Sequence, residues 1–293
     1  MKDDTTLPVM AAVAGLISVQ VGAAFAKSLF PLVGTDGLAA LRVGIAAVGL
    51  ALVLRPWTLL ATKVDRVALL GYGVTLGLMN LLIYRAFAHI PVGVAISIEV
   101  LGPLAVAVLA SRQRLDLVWA ACALLGLALL PLGAVAGSLD WRGIALALAA
   151  AACWAGYVSF GARVAGLGRR AVAAGLAIAS VIVVPLGIIE AGNALLEPAI
   201  LALGVVVAML SSVLPFLFDI YALKRLPRSV FGVLMSAAPA VAALAGVIVL
   251  GEMLGPLQWI GIAAITFACA GSAVVISRRP TTSMVNDVTE WID

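Results

Sequence analysis

Ten long apolar runs, separated by short polar gaps, make up nearly the whole chain, and no other feature restricts its fold so severely. The hydrocarbon core of a bilayer, about 30 Å thick, takes about 20 apolar residues of helix to cross. The runs fall at residues 7–26, 35–54, 67–88, 91–111, 115–135, 141–162, 171–190, 198–222, 226–250 and 256–276. Only 11% of the residues are charged and 64% are hydrophobic, whereas soluble domains carry about 25% charged residues. Glycine and proline inside the runs are tolerated in membrane helices, whose neighbours satisfy freed backbone groups. A β-barrel would show weaker alternating segments of about ten residues. The pattern predicts an all-α integral membrane protein with ten transmembrane helices.

Ala24-Phe25-Ala26 followed by Lys27 imitates a signal-peptidase site, but the first run is too long for a signal sequence and its leader, MKDDTT, is not basic. It is therefore expected to stay as a span. Cys122, Cys153 and Cys269 all lie inside runs without CxxC spacing, which predicts neither disulfides nor a metal site. The basic residues set orientation. With both termini in the cytoplasm, the cytoplasmic segments hold Lys2, Arg55, Lys63, Arg66, Arg112, Arg114, Arg163, Arg169, Arg170, Lys224, Arg225, Arg228, Arg278 and Arg279. Only Lys27, Arg85 and Arg142 fall outside, and Arg42 lies within a span, as the positive-inside rule requires. These loops account for the net charge of +4, so nucleic acid is not an expected partner.

An internal repeat is visible. IPVGVAISIEVLGPL (90–104) and LPRSVFGVLMSAAPA (226–240) align without a gap, matching Pro91 with Pro227 and Pro103 with Pro239. The first and sixth runs align at nearly the same offset, pairing Gly22 with Gly156. Five crossings per copy place the second copy upside down. The expected architecture is two inverted five-helix repeats, 1–135 and 136–277, around a central cavity, followed by a cytoplasmic tail, 278–293. Inverted repeats of this kind occur in secondary transporters with a midplane site.

These stretches resemble a known family. The ten-span pattern, with IPVGVAISIEVLGPLAVAVL and its partner LPRSVFGVLMSAAPAVAALAGVIVLGEMLGPLQWIGIAAI, is similar to the paired EamA-type repeats of the drug/metabolite transporter superfamily. AAFAKSLFPLVG, LRVGIA, YGVTLGLMNLLIYRA, AISIEVLGPLAVA, AACWAGY and FGVLMSAAPAVAALAG narrow the resemblance to the bacterial inner-membrane threonine/homoserine exporters. The resemblance implies an amino-acid substrate, the proton-motive force as driver, no cofactor and a bacterial inner-membrane location. A homodimer is one admissible assembly.

Glu99 stands about eight residues into the fourth run, a depth of about 12 Å. Charges that deep normally face the bundle interior or water. One reading is a protonated structural carboxyl hydrogen-bonded to a neighbouring helix. The other is functional: its repeat counterpart is Met235, so the fold does not demand an acid there. Pro103 has no N–H, which also frees the carbonyl of Glu99, and Gly102 permits close approach. Glu99 is then expected to bind either a substrate ammonium or a proton, the competition that antiport needs.

Other candidates follow from helical spacing. Gly73, Gly77, Asn80 and Tyr84 share one face of the third run, either lining a pocket or packing helices. Gln20 and Lys27 share a face of the first, Gln20 toward the cavity, Lys27 either as a snorkelling anchor or as a contact for a substrate carboxylate. Arg42 is the alternative carboxylate contact, or an ion-pair partner between helices. Trp154 and Tyr157 form an aromatic wall or ordinary packing, and Ser236 adds a hydroxyl beside the carbonyl freed by Pro239. Asp219 is expected near Lys224 or Arg225, and Glu252 in a structural or gating role. Gly102, Pro103 and Pro239 are candidate hinges, or static kinks.

Other function classes find little footing. One histidine, His89, and no HExxH, GxSxG or P-loop pattern leave no recognisable hydrolase, metal or ATP site. A channel suits a midplane acid in inverted halves less well than alternating access. Another amino acid or small metabolite is the competing cargo.

Overall fold

The computed structural model describes residues 6–61, 64–110, 114–133 and 140–277. The proposed 278–293 tail and the cations Lys2, Lys63, Arg112, Arg278 and Arg279 lie outside them. Ten helices among the described residues are long and apolar enough to cross a membrane. They are Thr6–Ser28, Phe30–Leu54, Arg66–Phe87, Val92–Leu109, Leu115–Leu132, Trp141–Leu167, Arg169–Leu196, Pro198–Leu223, Val230–Leu250 and Pro256–Val275, here spans 1 to 10. Their outer faces are as apolar as the interior. Leu52, Val53, Leu109, Ile189 and Ile248 are all more than 70% exposed, an arrangement that lipid solvates and water does not. The chain is a multi-pass membrane protein. Ten crossings bring Thr6 and Ser277 to one end, the termini end.

Spans 6 and 7 finish in 3-10 turns, Ala165–Leu167 and Gly192–Leu196, and four other spans are interrupted, each for a local reason. In span 2, Gly34 takes φ 73 and ψ −179, separating a first turn from the body that starts at Thr35. Only glycine adopts that conformation freely. Span 4 consists of Val92–Glu99 and Leu101–Leu109, joined at Val100. Span 9 repeats the design with Arg228–Met235 and Ala238–Leu250, joined at Ser236 and Ala237. Pro91 and Pro227 precede the first segments with nearly the same dihedrals, φ −56, ψ 144 and φ −55, ψ 141. Pro103 and Pro239 each deny an N–H to the carbonyl four residues earlier, those of Glu99 and Met235, and the helix breaks just after each. In span 8 a π-turn occupies Met209–Val213. Pro215 is its cause, because it leaves the carbonyl of Ser211 without a helical partner.

Packing sets the depth of these breaks. Span 3 lies on spans 6 and 7, and span 8 on spans 1 and 2. Span 4 packs on spans 6 and 9, span 9 on spans 4 and 1, while spans 2 and 7 and spans 5 and 10 pair with each other. Small residues bring the backbones together. Gly22 sits against Leu210 and Ser211 of span 8, with a Cβ placed there meeting Ser211 N at 3.0 Å. Gly156 sits likewise against Thr75 of span 3. Tyr84, Phe87, Ile90 and Ile98 are almost fully buried in the central core.

Candidate functional site

The break in span 4 presents Glu99. It is the last residue of the first segment, 6% exposed, and its carboxyl accepts no hydrogen bond from a described residue. Its neighbour Ser97 is turned away, donating to the carbonyl of Gly93 at 2.6 Å. The charge that acts on Glu99 from across the bundle is Arg42 of span 2. Arg42 is held by three weak contacts. Nη1 donates to the hydroxyl of Tyr84 at 3.3 Å, Nη2 to the carbonyl of Ser211 at 3.3 Å, and the guanidinium lies 5.5 Å from the Tyr84 ring centre. The carbonyl it reaches is the one that Pro215 frees, so the π-turn serves as its rest. Among the described residues no carboxylate lies within ion-pair distance of Arg42, which does not fulfil the expectation of a helix-holding ion pair.

Around this pair stand further polar groups. Tyr84 is fully buried, packed by Phe30 and Phe87 with ring centres 6.0 and 5.7 Å away. Asn80, one turn earlier, donates Nδ2 to the carbonyl of Leu76 at 2.9 Å. Gly73 and Gly77 on the same face pack against Ile178 and Ala179 of span 7 instead. Gln20 of span 1 is buried, and its Oε1 has no hydrogen-bond partner among the described residues. Ser236, in the span 9 break, is buried and donates to the carbonyl of Val233 at 2.6 Å. Gly102 lies against the backbone of Ala151 in span 6, where a Cβ would collide with the carbonyl oxygen.

Four expected residues stand apart from the layer. Lys27 pairs with Glu252 at 2.7 Å at the end opposite the termini, so its charge is committed there and Arg42 is the cation that faces Glu99. Tyr157 stacks on Tyr72 of span 3, ring centres 4.7 Å apart and hydroxyls 3.2 Å apart, toward the termini end. It does not build a wall with Trp154, which lies half-buried one turn beyond the Gly102–Ala151 contact. Asp219 is not paired with Lys224 or Arg225 among the described residues. Arg225 lies 3.9 Å over the ring of Tyr221, while Asp219 Oδ1 is buried beside Gly15.

The threonine/homoserine exporter RhtA of Salmonella typhimurium is 45% identical over 282 residues, covering 96% of both chains. The protein of the same name from Escherichia coli is 45% identical over 275 residues, 93% of both. The profile of the EamA-like transporter family matches residues 141–274. This chain belongs to the EamA-like transporter family. A solved crystal structure, 24% identical, covers 93% of this chain and 98% of its own with a TM-score of 0.53, a likeness of fold alone. For an EamA-like transporter the layer supplies what carriage of a small polar solute needs: an acid and a guanidinium not paired with each other, polar acceptors without a donor among the described residues, and breaks in the surrounding helices.

Two parts of the EamA-like bundle were not foreseen in the sequence. The π-turn is one, although the Pro215 rule is the one already applied to Pro103 and Pro239. The other is the set of ion pairs at the end opposite the termini, where Arg85 donates Nε and Nη2 to the carboxylate of Asp36 at 2.8 and 2.5 Å. Glu190 of span 7 accepts the N–H groups of Asp36 and Gly37 at 2.6 and 3.0 Å, capping the body of span 2 from another helix.

Proposed function

We propose that this EamA-like protein exports threonine and homoserine across a bacterial inner membrane, exchanging them for protons by alternating access with both termini in the cytoplasm. The carrying observation is that the acid Glu99 and the guanidinium of Arg42, which act on each other inside the bundle, form no ion pair with each other. An amino-acid zwitterion complements them, its ammonium on Glu99 and its carboxylate on Arg42, displacing the weak contacts of Arg42 to Tyr84 and Ser211. Gln20, Asn80 and Ser236 carry hydrogen-bonding groups for the side-chain hydroxyl, and Trp154 and Tyr157 line the route to the termini end. A proton on Glu99 excludes the ammonium, which couples the two fluxes. The relatives' substrates supply the choice of cargo.

Alternation in this reading rocks two inverted repeats, 1–135 and 136–277, against each other. Span 4 and span 9 break at matched positions, and Gly22 on span 8 has its counterpart in Gly156 on span 3. Gly102, Pro103 and Pro239 are the hinges in this reading. The test is efflux of labelled threonine and homoserine from preloaded cells without exporters of their own, with Glu99→Gln expressed to the same level. Wild-type efflux that the variant lacks is expected. No efflux above an empty vector would discard both substrates, and equal efflux from the two proteins would return Glu99 to a structural role.

A further inference from the structure

The two ends of the bundle are tied differently. At the end opposite the termini, Lys27 Nζ donates to the carbonyl of Ile90 at 3.0 Å and to Glu252 Oε1 at 2.7 Å. Both oxygens of Glu252 face the N–H of Val92, at 3.2 and 2.9 Å. That N–H opens span 4 and has no acceptor within its own helix, so a carboxylate from the turn before span 10 caps it and a lysine from span 1 neutralises the carboxylate. The pair is largely buried, with side-chain exposures of 22% and 11%. Gly246 of span 9 gives Glu252 its room, since a Cβ there would overlap the carboxylate. Three spans and the turn before span 10 therefore meet at two side chains.

Among the described residues the termini end shows no pair as buried as that one. An ion pair described there, Arg163 with Asp65 at 2.8 Å, is 36% and 39% exposed. A cavity of about 270 Å³ opens beside it, lined by Tyr72, Tyr157 and Gly161 among others.

We infer that Lys27 and Glu252, closed on Ile90 and Val92, are the gate that seals the opposite end, and that this gate opens and closes once in each transport cycle. The inference rests on the alternating-access reading above. Register explains the coupling to the site. Gln20 and Glu99 each lie seven residues deeper than Lys27 and Val92, about 10 Å along their helices. Gly93 lies against Ala243 of span 9, which sets the Ser236–Ala237 break at the depth of Glu99. The segment Val92–Glu99 thus has the gate at one end and the candidate site and hinge at the other. A tilt of that segment about Val100 moves Val92 away from Glu252 as it moves Glu99.

Thiol accessibility tests this without reference to the cargo. In a background with Cys122, Cys153 and Cys269 replaced by alanine, Ser236→Cys is the reporter, labelled in oriented vesicles by a membrane-impermeant maleimide on one side at a time. Lys27→Met is expected to speed labelling from the opposite end by about fivefold or more, through a population shift toward the open state, while Lys27→Arg labels like the parent. In a second variant, Lys27→Cys with Glu252→Cys joined by a short bis-maleimide cross-linker, labelling from that end stops and labelling from the termini end continues. Unchanged labelling in Lys27→Met, or opposite-end labelling that survives the cross-link, would overturn the gate. Threonine and homoserine efflux is read in parallel vesicles of the same cysteine-free background with Ser236 intact. Gate-dependent labelling without efflux leaves the gate standing and removes the proposed cargo.

Discussion

Spans 4 and 9 are the same backbone device with different chemistry. Both begin after a proline, run eight residues, Val92–Glu99 and Arg228–Met235, and break four residues before a second proline. At the last residue of the first segment one carries a carboxylate and the other a thioether. The shared geometry belongs to the fold, and what differs between the two is where function resides. The comparison is broken most directly by exchanging that one residue. Glu99→Gln is expected to lower the efflux rate more than about tenfold, a loss of roughly 1.4 kcal/mol or more of transition-state stabilisation. Met235→Leu should leave it within about twofold. Labelled-substrate efflux at matched expression reads both, and equal losses would mean that the break, not the acid, is what transport needs.

The second contrast is close packing beyond the break. Gly102 has the backbone of Ala151 where its Cβ would be, while its counterpart, Ala238, already carries a methyl. Gly102→Ala must push spans 4 and 6 apart, at a cost of about 1–3 kcal/mol. Ala238→Gly costs about 1 kcal/mol through helix propensity alone. Thermal unfolding in detergent should therefore show the larger drop for Gly102→Ala. A reversed order would mean that the contact relaxes freely.

Much of this pair of spans was legible in the sequence, and the reasons are local. Proline denies an N–H at a fixed distance along the chain, so the breaks follow from Pro103 and Pro239. The second apolar run was read from residue 35, and the helix body starts there because Gly34 breaks the turn before it. Glu99 stood out because burying a charge in an apolar run is costly. What stayed hidden needs the third dimension. Nothing near Lys27 in the chain announces Glu252 or the N–H of Val92, and nothing near Glu190 announces Asp36. Arg42 was seen as a buried cation, but its rest on the carbonyl of Ser211 joins residues of spans 2 and 8.

A finer test separates hinge from kink. Pro103→Ala and Pro239→Ala each return an N–H that can pair with the carbonyl of Glu99 or Met235 and straighten the span. If the breaks flex during transport, both variants fold as stably as the parent but lower the maximal efflux rate by about threefold, the change expected of a conformational step. Pro103→Ala should have the larger effect, because its span carries Glu99 and ends at Glu252. Unaltered rates in both would make the prolines static kinks.

The smallest effect concerns protons at the helix ends. Asp65 and Asp140 lie outside the spans, and both carboxyls are held below the ordinary carboxylate value. For Asp65 the chief cause is the N–H of Ala68, aided by Arg163; for Asp140 it is the N–H of Arg142, aided by His89. A depressed folded value gives stability that is fully present above the unfolded carboxyl range and lost as pH falls through the folded value, below about pH 4. Between pH 5 and 8 both stay ionised, so neither contributes a pH dependence to transport. In a His89→Gln background, which removes the one histidine, efflux that still varies with pH over this range reports another group. Glu99→Gln should flatten that variation and Met235→Leu should not. A profile that keeps its shape in Glu99→Gln would separate proton coupling from the acid in span 4, and the difference between the two broken spans would then concern substrate binding alone.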